Sequence, residues 1–302
     1  MHAAGLIAPD VRARLRGLRL AARRPAAGSG VGQHASRSRG TGLEFAEYRA
    51  YERGDELRRI DWKLYARSDR HYVREAERDS PLVAWILLDA TASMRQADRA
   101  RPDWCKLDAA CAIAACVIEL AMRQGDRFGV IAIGGSAPLV LAPAGGARAR
   151  DRCLLQLARL APAGTWPGEA RGPAPWERIG PQSLVLLVSD FFDEAAVTLA
   201  TRLAAAHRET LAIQVLAADE RDFPFEGGHR FVDPETGAER RVDAAAARSS
   251  FLAGFAAARA ALAQRMAGAG IRLATHVLDD AVDAPLQVLF GRPSDVAAGT
   301  SA

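Results

Sequence analysis

The chain has 302 residues, 49% hydrophobic and 25% charged with a net charge of +4, ordinary for a soluble globular protein of one large domain or two small ones. No apolar run reaches the ~18 residues needed to cross a bilayer. The opening Met1-His2-Ala3-Ala4-Gly5 lacks the basic and apolar regions of a signal peptide, so the expected location is cytoplasmic. Charge is uneven: residues 1–40 carry eight arginines against the single Asp10, and the remainder is slightly acidic. Cys105, Cys111, Cys116 and Cys153 show none of the close spacings of zinc or redox pairs and read as small buried hydrophobes.

Over residues 9–24, Val11, Leu15, Leu18 and Ala22 form one stripe and Arg12, Arg16, Arg19 and Arg23 the next, which predicts a basic amphipathic helix. Residues 28–41 are rich in glycine, serine and arginine and complete a helical arm, 1–41, with a flexible loop. Residues 42–80 hold the densest mixture of arginine, aspartate and aromatic side chains, the material of bidentate and stacked contacts. A charge-protected edge strand is expected over 72–78. A solvated, salt-bridged surface segment is the alternative for this stretch.

From 81 to 290 strands and helices alternate, which predicts an α/β fold: a Rossmann-like, doubly wound, mainly parallel sheet. Strands are expected at 82–88, 128–133, 139–141, 184–189, 211–217 and 272–278. Helices are expected at 103–124, 149–160, 193–207 and 244–267, with a short last one from Pro285 to about residue 290. The 103–124 helix is apolar nearly all round, and Gly125 stands where a C-terminal cap is wanted. Between 219 and 243 the alternation breaks at two short strands flanking Pro234-Glu235-Thr236-Gly237, a β-hairpin insertion. Residues 291–302 read as a disordered tail.

The 82–88 strand is almost wholly apolar, as a central parallel strand is, and runs directly into Asp89, with Thr91 and Ser93 at alternate positions after it. The 184–189 strand ends likewise in Asp190. Ligands of open α/β sheets bind beyond the carboxyl ends of the strands, so the two carboxylates are expected at one edge. Thr165, in a glycine-preceded loop, offers a further hydroxyl. Asp89, Thr91, Ser93, Thr165 and Asp190 are all hard oxygen donors suited to Mg2+, with Mn2+ or Ca2+ as alternatives. Such residues also crowd strand ends to make turns and cap helices, and the spacing alone leaves that open.

Gly42-Leu43-Glu44-Phe45, Arg49, Tyr51, Gly54-Asp55, Arg58, Ile60-Asp61-Trp62 and Ala66-Arg67 resemble the signature of the domain of unknown function 58 family, which is similar to von Willebrand factor type A domains. The resemblance extends over nearly the whole chain. It implies a von Willebrand factor type A-like sheet with a metal-ion-dependent adhesion site, in which Asp89, Thr91 and Ser93 match the first loop, Thr165 the second and Asp190 the third. Two departures stand out: Thr91 replaces the usual serine, and the bulky Trp166 follows Thr165 where an acidic or small residue is common. The resemblance further implies a non-catalytic adaptor of a MoxR-type AAA ATPase, recruiting an unidentified client, with the metal's open position completed by a partner carboxylate.

Two rival functions remain at this stage. Asp89 with a magnesium ion also suits phosphotransfer by an aspartyl nucleophile, although Thr91 stands where such enzymes want a second acid, and no basic residue is committed to phosphate near the loops. The arginine-rich arm suits nucleic acid or an anionic surface, although it lacks interleaved aromatics and the body is acidic. The six histidines are scattered without ligand spacing.

Overall fold

A computed structural model describes residues 5–21, 45–51, 60–76, 81–135, 139–167 and 174–291. The chain forms two compact units, residues 1–27 with 82–302, and residues 28–81. The flexible loop expected at 28–41, residues 22–24 of the helix expected over 9–24, and residues 292–302 of the tail expected at 291–302 lie outside the described residues.

In the larger unit the arm begins as α1 (Pro9–Arg14), which tightens into a 3-10 turn (Leu15–Gly17) and then runs extended, so it is shorter than the helix expected over 9–24. Tertiary contacts set its end. Leu6, Ile7, Val11, Leu15, Leu18 and Leu20 are all buried in the core. Gln124 exchanges two hydrogen bonds with the backbone of Leu20, and Arg14 forks onto the buried carboxylate of Asp283. Arg12, Arg16 and Arg19 face outward.

In the smaller unit β1 (Phe45–Ala50) pairs antiparallel with β2 (Tyr72–Ala76), the strand expected over 72–78. Between them lies α2 (Trp62–Ser68), which the sequence pattern did not suggest. Asp61 caps it, accepting from the Lys63 and Leu64 amides at 2.9 and 3.1 Å.

The larger unit is built on a six-stranded sheet of β3 (Val83–Ala90), β4 (Arg127–Gly134), β5 (Leu139–Ala144), β6 (Leu184–Ser189), β7 (Glu209–Leu216) and β10 (Arg272–Val277). Their order is β10-β7-β6-β3-β4-β5, parallel throughout except for the antiparallel edge strand β5. The central strands are continuous apolar runs because both faces are covered. On one face α3 (Lys106–Gln124), α4 (Ala147–Leu157), α8 (Ala284–Phe290) and the arm enclose Ile86, Leu88 and Ala90. On the other, α5 (Glu194–Ala205) and the C-terminal turns of α7 (Ala244–Gly268) enclose Trp85 and Leu87. By the alternation of a strand, Asp89 follows Trp85 and Leu87 to this second face.

α3 is buried from Lys106 to Ala121 except at Asp108 and is closed by Gly125 in the left-handed conformation, as expected. It starts three residues later than the apolar pattern suggested, because Cys105 and Asp108 form its cap. The β-hairpin of β8 (Gly228–Val232) and β9 (Glu239–Asp243) is the insertion, preceded by a short helix, α6 (Ala218–Asp222), that lies inside the stretch read as broken alternation. Among the described residues no helix is long and apolar enough to cross a membrane.

Candidate metal centre

β3 and β6 are parallel neighbours in a register that sets Leu88 beside Val188, so the next residues, Asp89 and Ser189, stand together at the carboxyl edge. Asp89 is wholly buried. Its Oδ1 accepts from the Thr91 backbone N–H at 3.0 Å and from Thr91 Oγ1 at 2.7 Å. Its Oδ2 accepts from Ser189 Oγ at 2.6 Å and from the Trp166 indole N–H at 3.0 Å. Thr91 Oγ1 and Ser93 Oγ lie 3.0 Å apart. The chain reaches this geometry by leaving β3 into a 3-10 turn, Ala92–Arg95, with Thr91 extended at its N-terminus. Gly134, at a φ of 79°, makes the approach possible, since a Cβ there would stand 2.9 Å from the Thr91 nitrogen.

The loop containing Thr165 packs on the first loop: Ala92 N–H donates to Gly164 O at 2.8 Å, and Ala163 N–H to Ala90 O at 2.9 Å. Thr165 itself is exposed, and its hydroxyl makes only a long 3.4 Å contact to the Trp166 carbonyl. The indole that departs from the family pattern thus takes the inward place and holds Asp89.

Asp190 is buried beside Asp89, and its charge is felt there: burial, then Asp190, raise the Asp89 pKa above the ordinary value, against the hydrogen bonds of Ser189 and Thr91. Asp190 Oδ1 accepts from Phe192 N–H at 3.1 Å, and Oδ2 from Lys106 Nζ at 2.8 Å. Lys106, 1% exposed, also donates to Glu220 Oε1 at 2.9 Å. Burial opposes this ammonium, but the charges of Asp190 and Glu220 outweigh it and its pKa lies above the usual lysine value. A basic residue therefore stands near the loops, and two carboxylates engage it.

The five expected ligands divide accordingly. Asp89, Thr91 and Ser93 form one hydrogen-bonded oxygen cluster, Asp190 adds a neighbouring charge, and Thr165 is in the adjoining loop with its hydroxyl apart. Ser189, Trp166, Lys106 and Glu220 were missed. The Ser189-Asp190 pair at a strand end and a lone lysine opening an apolar helix were the available signals. Among the described residues no three His, Cys, Asp or Glu side chains form a metal-sized group, so a cation here would rest on hydroxyls. The Thr91–Ser93 pair fits that test: metal–oxygen distances of 2.0–2.1 Å put adjacent ligands of an octahedron about 2.9 Å apart.

The family described as Protein of unknown function DUF58 matches residues 47–261. Uncharacterized protein Rv1480 of Mycobacterium tuberculosis is 30% identical over 275 residues, covering 88% of this chain and 84% of the relative. Among solved structures, the conserved hypothetical protein BatB from Bacteroides thetaiotaomicron aligns with a TM-score of 0.41 at 14% identity, covering 68% of this chain and 95% of that one. The SpRpn10 VWA domain aligns with a TM-score of 0.37 at 12% identity, covering 69% and 95%.

Proposed function

We propose that this chain, which belongs to the family described as Protein of unknown function DUF58, is a metal-dependent protein-interaction module that partners a MoxR-type AAA ATPase. The observation that carries the reading is the hydroxyl pair of Thr91 and Ser93, 3.0 Å apart, backed by Asp89. These hydroxyls would hold Mg2+, or Mn2+ or Ca2+, while Asp89 and Asp190 supply negative charge behind it and the Thr165 loop flanks it. When bound, the ion supplies a Lewis-acidic position for an outside carboxylate. Charge balance points the same way. Asp190 and Glu220 share one ammonium, Lys106, while Asp89 feels the charge of Asp190, and a divalent ion offsets the excess of carboxylates.

The reading includes no turnover. All four lone-pair directions of the Asp89 carboxylate are taken by protein donors, which leaves none for attack on phosphorus. The ATPase partner is what the family resemblance implies. Size-exclusion chromatography of the protein with a MoxR-type AAA ATPase from the same organism tests both parts. A complex is expected in millimolar Mg2+ and is lost in EDTA or on Ser93→Ala; a complex indifferent to both treatments, or none, contradicts the proposal.

A further inference from the structure

A concavity opens beside the oxygen cluster, with a volume of about 660 Å3, the size of a ligand-binding cleft, and with Ser93 and Lys106 in its wall. Phe192, Phe223, Phe225, Phe231, Phe251 and Phe255 give it an aromatic lining. Their rings form an unbroken chain. It runs from Phe192 to Phe255 at 6.4 Å, Phe255 to Phe251 at 5.7 Å, Phe251 to Phe223 at 4.4 Å and Phe223 to Phe231 at 5.8 Å between centroids. Phe192, two residues after Asp190, also lies under the Lys106 ammonium at 4.8 Å. The chain therefore joins the sheet edge to the β8–β9 hairpin and the first turns of α7.

The groove is not closed. Phe192 is 52% exposed, Val232 49% and Phe251 37%, and a contiguous apolar rim of this kind marks an interaction site rather than a core. α7 shows the same lack of cover: its buried residues are Ala244 at the start and Leu262 and Met266 near the end.

Charge selects the occupant. Lys106 is shared by Asp190 and Glu220, and Asp219 is held by Arg99. Arg240, opposite Phe231 in the hairpin register, lines the groove with no carboxylate partner among the described residues. We propose that the groove receives a short segment of a partner protein, its aromatic or branched aliphatic side chains on the phenylalanine chain and one carboxylate on Arg240. This deepens the reading above and rests on it only in taking the occupant to be a protein. Gln96 and Ser250 in the wall donate to the Ala97 and Ala247 carbonyls and keep acceptor oxygens for the N–H groups of a peptide backbone, which a lipid chain would leave unanswered.

The test is fluorescence anisotropy of a labelled, amidated peptide Phe-Leu-Asp-Leu-Phe with the full chain, made in EDTA so that failure of the metal reading leaves it untouched. Saturable binding is expected, weakened about tenfold by Phe251→Ala and by the surface variant Val232→Asp. An Asn-for-Asp peptide is expected to bind wild type less well, and Arg240→Ala no differently from the parent peptide. Absence of saturable binding, binding that both groove variants leave unchanged, or displacement by oleate but not by unlabelled peptide overturns the proposal.

Discussion

Lys106 is the first residue of α3, where the helix dipole disfavours a cation, and it is buried as well. Only the carboxylates of Asp190 and Glu220 make that position tolerable. Removing the ammonium leaves two acids without the cation they share, so Lys106→Met is expected to cost about 3–5 kcal/mol, the range for breaking a buried pair. Urea unfolding measures it. A variant as stable as the parent would mean that the lysine contributes nothing net to holding α6 against the loop after β6. Mg2+ is expected to return part of the lost stability to Lys106→Met, because the cation and the ammonium answer the same negative charge.

At the scale of elements, β10 carries the clearest pH dependence. His276 on this strand is fully buried, neither ring nitrogen has a hydrogen-bond partner among the described residues, and burial pushes its pKa from 6.5 to about 4 against the charges of Asp280 and Asp279. The unfolded chain therefore binds a proton that the folded one refuses. Stability from this group is present above pH 6.5 and falls as pH drops from 6.5 through about 4, by at most about 3 kcal/mol. Thermal unfolding across this range, compared with His276→Leu, isolates the effect: the wild type is expected to lose more stability than the variant on acidification. Equal losses would show that the imidazole is protonated without penalty.

The elements differed in how plainly the chain announced them. β3 and β6 were legible because central parallel strands are uninterrupted apolar runs, and the hairpin because its turn residues sit between short strands. α1 stopped early because Arg14 answers Asp283, a residue 269 positions away, and no local periodicity encodes such a contact. The candidate site shows the same division. Asp89, Thr91 and Ser93 are two residues apart and their clustering can be read from spacing, whereas the Lys106–Glu220 and Trp166–Asp89 contacts join residues 114 and 77 apart. The Thr165 hydroxyl stays apart because the neighbouring indole, with its longer reach, fills the inward direction.

For the molecule as a whole, the arm's charge and the sheet's edge are separate features. The leucines of the arm belong to the core while Arg12, Arg16 and Arg19 point outward, so the arm is a built-in layer of the larger unit. The oxygen cluster lies at the edge of the two central strands, where the loops after β3 and β6 and the Thr165 loop meet. Whether that cluster takes up a cation decides whether the module is metal-dependent. Calorimetric titration of Mg2+ and Mn2+ into the full chain measures it directly. One saturable site is predicted for the wild type, abolished by Asp89→Ala and strongly weakened by the half-buried Ser93→Ala; a wild type that binds neither ion, or two variants that bind as well as it does, would contradict the account.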